Sequence, residues 1–168
     1  VGLNHRERET MTTTQATCAE RVESHKESRL ADLKVLYRPH DCDADELVAF
    51  CEDEGIDVPE DDDESLILDA TEDEIYERQG SYGLCFGYTE DEETGLRYFR
   101  YCLSTGGPHE EIRFFVDYSG SLYKAEFWLL DWYDGACRTI TGDDTAQATW
   151  DFFVEIGAVE AAFAEWEA

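Results

Sequence analysis

Residues 96–132 read LRYFRYCLSTGGPHEEIRFFVDYSGSLYKAEFWLLDW, and this stretch decides the fold. Its apolar residues recur at every second position. Arg97, Phe99, Tyr101 and Leu103 share one side of a first run, and Ile112, Phe114, Val116 and Tyr118 share one side of a second. In a third run, Leu122–Trp132, residues Tyr123, Ala125, Phe127 and Leu129 alternate with Lys124, Glu126 and Trp128. A period of two sends successive side chains to opposite faces of a strand. Ser119-Gly120 is a tight turn, so the second and third runs pair as a hairpin. Ser104–Pro108 is a glycine-bearing connection between the first two.

The pattern extends outward on both sides. Leu84–Tyr88 reads as a preceding strand, joined through the acidic turn Thr89–Gly95. Asp134-Gly135 reads as the turn that ends the long strand, and Cys137–Thr141 as a short edge strand. Asp143 or Asp144 caps a helix carrying Trp150, Phe153 and Val154, which Gly157 breaks. Val159, Ala162, Phe163 and Trp166 form the stripe of a last short helix. Upstream, residues 12–80 read as acidic and helical. A helix opens at Thr12–Thr14 and runs to about Leu36 with Val22, Leu30 and Leu33 on its stripe; Arg38-Pro39 stops it. Asp43 with Glu46 makes a capping box for a second helix, which Gly55 closes. Beyond the charged connection Glu60–Glu64, a short helix is expected over Ser65–Ala70. Thr71 with Glu74 offers a further capping box for a turn ending near Gly80.

The expectation is an α+β fold: an antiparallel β-meander of about four to five strands with N-terminal and C-terminal helices packed on it. Residues 12–80 and 81–168 belong to one domain of ordinary size. Residues 1–11 are expected to be disordered or to precede the true start, because the first Met is Met11. Most Trp, Tyr and Phe residues fall after Tyr76, which places the expected core in the C-terminal two thirds.

Charge is the other strong signal. Forty-one Asp and Glu face thirteen Lys and Arg, a net −28 at pH 7. Such a chain repels itself in dilute buffer, whereas at 1 M salt the Debye length falls to about 3 Å and screens the repulsion. The composition is that of a halophilic, salt-adapted protein. The acids are unevenly placed: residues 1–40 carry net +1, residues 41–80 net −17 and residues 81–168 net −12. Phosphate contacts need Lys and Arg, so direct nucleic-acid binding is disfavoured. No apolar run approaches a membrane span, and no basic-then-apolar leader opens the chain. None of the six cysteines forms a CxxC pair, so the reading is a cytoplasmic protein with reduced thiols.

Few residues carry a chemical signal. Asp41, Asp43, Asp45 and Glu52 match acid positions of a calcium loop, but Glu46 stands where that loop needs glycine. His40, Cys42, Cys51 and His109 lack the spacing of short zinc motifs. Neither a metal nor a cofactor is therefore expected. Ser104, Gly106, Gly107 and His109 form the segment most like a site, since two glycines let a ligand approach the backbone. It has no GK[ST] and no strained elbow. Asp131 and Asp134 flank Trp132 at the end of the longest strand, and paired carboxylates suit general acid–base work. With His109 they are the catalytic candidates. Phe115, Trp128 and Trp132 fall opposite the core, where they form a partner surface unless helices cover both faces.

The stretches Tyr101–Pro108, Arg113-Phe114-Phe115 and Phe127–Ala136 (FWLLDWYDGA) resemble a group of small uncharacterised proteins of plasmids, phages and other mobile elements. The resemblance covers Leu84 to Ala136. The Leu-Ser-x-Gly-Gly piece, Leu103–Gly107, is also similar to the antirestriction family ArdB/KlcA, which implies a defence-countering role. Three functions follow. The first is a non-catalytic protein-interaction domain using Ser104, Gly106, Gly107, His109, Trp132 and Asp134. The second is an acidic DNA mimic whose carboxylates over 41–80 imitate phosphates. The third is a small hydrolase using Asp131, Asp134 or His109. The expected partner is a protein, and the oligomeric state stays open.

Overall fold

The computed structural model describes residues 16–60 and 63–168. The expectations for residues 1–11 and for a helix start at Thr12–Thr14 lie outside them. Five strands follow one another in a single antiparallel sheet of order β1-β2-β3-β4-β5: Cys85–Glu90, Arg97–Ser104, His109–Val116, Leu122–Asp131 and Asp134–Thr139. Among the described residues three helices precede the sheet, α1 (Cys18–Tyr37), α2 (Ala44–Glu54) and α3 (Glu64–Gln79), with a 3₁₀ turn at Pro39–Asp41. Two follow it, α4 (Asp144–Glu155) and α5 (Ala158–Glu167). The fold is α+β, with a meander flanked by N- and C-terminal helices.

Local chemistry sets the helix boundaries. Thr17 and Glu20 form a capping box at α1, and Asp43 and Glu46 form one at α2, each satisfying backbone N–H groups that the first turn leaves free. Gly55 ends α2 in the left-handed region. Residues 64–79 form one continuous helix instead of a short helix and a capped turn. Thr71 does not cap. It is buried in mid-helix, and its Oγ1 donates to the Ile67 carbonyl, a bond that lets a hydroxyl sit inside a helix without an orphan donor.

The sheet alternates as expected. Phe99, Tyr101, Ile112, Phe114, Ala125, Phe127 and Leu129 face the helices and are buried with Trp150 and Phe153 of α4. The core reaches further upstream than the aromatic count implied. Cys18, Val22, Leu33, Leu36, Leu47, Phe50, Cys51, Ile67 and Ile75 join the same cluster. Apart from Phe50, aliphatic residues and cysteines of α1–α3 supply that half, so a census of rings overlooked it.

Two edges of the meander also differ from expectation. β3 starts at His109, three residues before Ile112, because Glu110 and Glu111 are buried in the ladder. β5 starts at Asp134, where a terminating turn was expected. The two-residue turn is Trp132-Tyr133, closed by the pairing of Asp131 with Asp134. Asp134 is fixed there because its Oδ2 accepts the Cys18 N–H at 2.6 Å, at the start of α1.

Candidate functional site

The Ser104–Pro108 loop, the Trp132-Tyr133 turn and the start of α1 meet at one end of the sheet. A bulge in β2 shapes this end. Cys102 pairs with Glu111 while Ser104 pairs with Glu110, so Leu103 is the extra residue. The shift turns Ser104 toward the helix side, beside Glu110. Gly106 and Gly107 adopt φ of 96° and 109°, which side-chain-bearing residues rarely adopt, and the Gly107–Pro108 bond is cis.

Glu110 is the hub of the helix-side cluster, at 4% exposure. Arg29 of α1 donates to its Oε2 through Nε (2.9 Å) and Nη2 (2.6 Å), and Ser104 Oγ donates to the same oxygen at 2.9 Å. His25 Nδ1 lies 2.6 Å from Oε1. Burial pushes the Glu110 carboxyl up, but the bonds from Arg29 and His25 outweigh it and hold the carboxyl below its ordinary value of 4.5. An ionised carboxylate only accepts, so Nδ1 of His25 carries the proton at this contact. Arg29 also donates to the Tyr82 hydroxyl at 2.9 Å, and Tyr82 in turn donates to Asp32. Burial works against the Arg29 cation, yet Glu110 and Tyr82 keep its pKa raised. His25, Arg29, Asp32, Ser104 and Glu110 border an open cleft of about 490 Å³ that Asp53, Glu54 and Thr105 also line.

The expected catalytic residues fall into separate networks. Asp131 faces the helices, where its Oδ2 accepts from Arg21 Nη2 at 2.7 Å. Asp134 holds the α1 N-terminus, and its pKa is lowered chiefly by that backbone bond. His109 points to the other face, where its Nε2 lies 2.7 Å from Glu111. The sheet thus separates His109 from Asp131 and Asp134. Of the expected binding residues, Gly107 lies close to Asp131, and Ser104 is held by Glu110 and the Pro108 carbonyl. Trp132 is 92% exposed at φ 54°, and Tyr133 beside it is fully exposed. Asp43 caps α2 and Asp41 pairs with Arg38. Among the described residues no group of three or more His, Cys, Asp or Glu is arranged to hold a metal ion.

No helix among the described residues packs on the second face of the sheet, and its side chains cover one another. Glu111, 2% exposed, accepts from Arg113 Nε at 2.6 Å. The Arg113 guanidinium lies 3.9 Å from the centre of the Trp128 ring and 4.7 Å from that of Tyr98. Lys124 sits 4.5 Å over Phe115, so Phe115 is buried on this open face.

Sequence reasoning missed His25, Arg29, Tyr82, Glu111 and Arg113. A usable signal was present. Arg21, His25 and Arg29 recur every four residues, on one face of α1, within the segment of net +1. That basic stripe meets Asp131 and Glu110. Compared with known protein families, curated proteins and solved structures, the chain matches none of them. Among the described residues no helix is long and apolar enough to cross a membrane.

Proposed function

We propose that this is a salt-adapted, non-catalytic protein-interaction domain whose docking surface is the loop end of the sheet, centred on Trp132. One observation carries the reading. A bulky aromatic residue is almost wholly exposed and held at positive φ, a conformation that costs such a residue on the order of 1 kcal/mol or more. The two-residue turn between β4 and β5 calls for positive φ, but glycine or asparagine meets that need at less cost, whereas an exposed tryptophan there suits a partner pocket for an aromatic anchor. The acids and bases around it are taken up in holding α1 to the sheet. Halophily and a cytoplasmic, mobile-element setting belong to the same proposal and rest on the composition and the sequence resemblance.

The test is a comparison of wild type with W132G in molar KCl. Glycine adopts positive φ without penalty, so W132G melts at the same temperature as wild type or higher while it loses the captured partner. A variant that captures the same partner as wild type overturns the reading. Salt adaptation is tested separately by thermal melts: the midpoint falls steeply as KCl is withdrawn, and an unchanged midpoint in nearly ion-free water refutes it.

The acidic DNA mimic, antirestriction-like in role, is the second reading. Every described carboxylate of residues 41–80 is exposed except those of Glu46 and Glu54, which pair with Lys34 and Arg78. Exposed acids along α2 and α3 present a charged face to a DNA-binding protein. Replacing the acids of 41–64 with Asn or Gln abolishes binding on this reading and leaves it intact on the first.

A further inference from the structure

β1 and β2 bring two cysteines together on the open face of the sheet. Cys85 is the first residue of β1 and sits directly opposite Cys102 of β2 in the antiparallel register. Directly opposed residues in such a ladder have Cα atoms about 4.5–5.5 Å apart, inside the range a disulfide spans. Both thiols are free, and they interact directly. Their exposures differ: Cys85 is open to solvent, whereas Cys102 is 3% exposed. The remaining cysteines lack this arrangement. Cys18, Cys42 and Cys51 are buried among the helices, and Cys137 is separated from Cys102 by the β3 and β4 positions Glu111 and Trp128.

We infer that Cys85 and Cys102 form a reversible thiol–disulfide modification site that locks the edge strand β1 to β2. The oxidant class is a low-molecular-weight disulfide. The exposed Cys85 thiolate attacks one sulfur of that molecule, breaking its S–S bond and releasing one small thiolate, which takes up a proton. Cys102, as thiolate, then attacks Sγ of Cys85 in the mixed disulfide and expels the second small thiolate. Two protein thiols have lost two protons and two electrons, and one small disulfide has become two small thiols. The order of attack follows from access. Burial, with the Cys85 thiol beside it, pushes the Cys102 thiol up to about 11, which makes it the poorer thiol to start the exchange, while its place opposite Cys85 lets it resolve the mixed disulfide. The bond reaches the loop end of the sheet, because the Cys102 thiol now donates weakly to the Ser104 carbonyl at 3.6 Å. Oxidation replaces that contact with a covalent tie at the base of the Ser104–Pro108 loop. The inference stands independently of the proposed docking function.

The full chain, folded in molar KCl, is incubated with oxidised glutathione, alkylated and examined by intact mass and peptide mapping. The expected product has lost two hydrogens and contains a cross-linked peptide pair joining residues 85 and 102, with Cys18, Cys42, Cys51 and Cys137 alkylated. Its melting temperature rises by roughly 5–10 °C and returns on treatment with dithiothreitol. C85S, altered at an exposed position, shows neither the cross-link nor the rise. C102A stops at a glutathione adduct on Cys85; if it fails to fold, the C85S comparison decides alone. A persistent wild-type adduct on Cys85, a bond that involves Cys137, or a cross-link without a melting shift overturns the inference.

Discussion

Glu110 and Glu111 are neighbours in the chain and both lie almost wholly out of solvent, yet the two faces of the sheet hold them differently. Glu110 looks toward the helices and takes its partners from α1, 81 and 85 residues away. Glu111 looks outward and takes them from His109 and Arg113, two residues away on its own strand. The first cluster is a tertiary clamp that docks a helix. The second is a local weave that finishes a surface no helix covers. Side-chain parity alone separates these roles, so one residue of register decides which job an acid does.

The largest effect is expected at the clamp. E110A strips Arg29 and His25 of a buried partner and costs about 3 kcal/mol, the low end for a broken buried pair, because Arg29 keeps some contact with water and with Tyr82. Urea denaturation in molar KCl measures it. The same clamp gives the protein an acid limit. The folded carboxyl titrates below its ordinary value of 4.5, so its contribution is complete above that pH and is lost as pH falls through the lowered value. Wild type and E110Q therefore differ in stability at pH 7 and converge as pH falls below 4.5. A constant gap across that range removes Glu110 ionisation from the account.

How much of this was legible follows the same division. The meander was readable because a period of two is a local property, plain in Tyr123–Leu129 and Ile112–Val116. The Asp43–Glu46 capping box and the C-terminal helices were readable for the same reason, whereas the Thr17–Glu20 box was passed over and Thr71–Glu74, read as a box, lies inside α3. The clamp was not, because nothing local ties His25 to Glu110. The bulge at Leu103 hid it further, since strict alternation does not put both Leu103 and Ser104 toward the core. The turn at Trp132-Tyr133 was passed over in favour of Asp134-Gly135. Turn chemistry favours Asp-Gly, and a tryptophan at positive φ runs against local preference. Local rules failed here at a place the proposed function uses. Ser104, Gly107, Trp132 and Asp134 lie at one end of the sheet, and His109 lies at that end with its ring on the other face.

Glycines sharpen the contrast at intermediate cost. A methyl group on Gly83 would stand 2.1 Å from the Tyr101 ring, on the packed side, so G83A forces the ring or the strand entry to move and costs about 2 kcal/mol. Gly87, paired with Arg100, meets nothing within 4 Å. G87A is neutral or raises stability by about 0.5 kcal/mol through the unfolded state. Equal losses for the two variants mean that the open face is packed as tightly as the covered one.

The smallest effect is expected where the sequence neighbour of the clamp is removed. E111A deletes a carboxylate more deeply buried than Glu110, and burial alone ranks it the worse loss. The partners argue otherwise. Arg113 remains stacked between Trp128 and Tyr98 and retains Asp91 at 3.8 Å, so its cation is not stranded. No docked helix depends on Glu111, and the half-exposed His109 regains water. The expected cost is about 1 kcal/mol, a third of that for E110A. The double variant E111A/W128A removes the remaining shelter and costs more than the sum of the single variants, because each deprives the same guanidinium of support. If E111A alone equals E110A, burial outweighs connectivity and the division between clamp and weave is wrong.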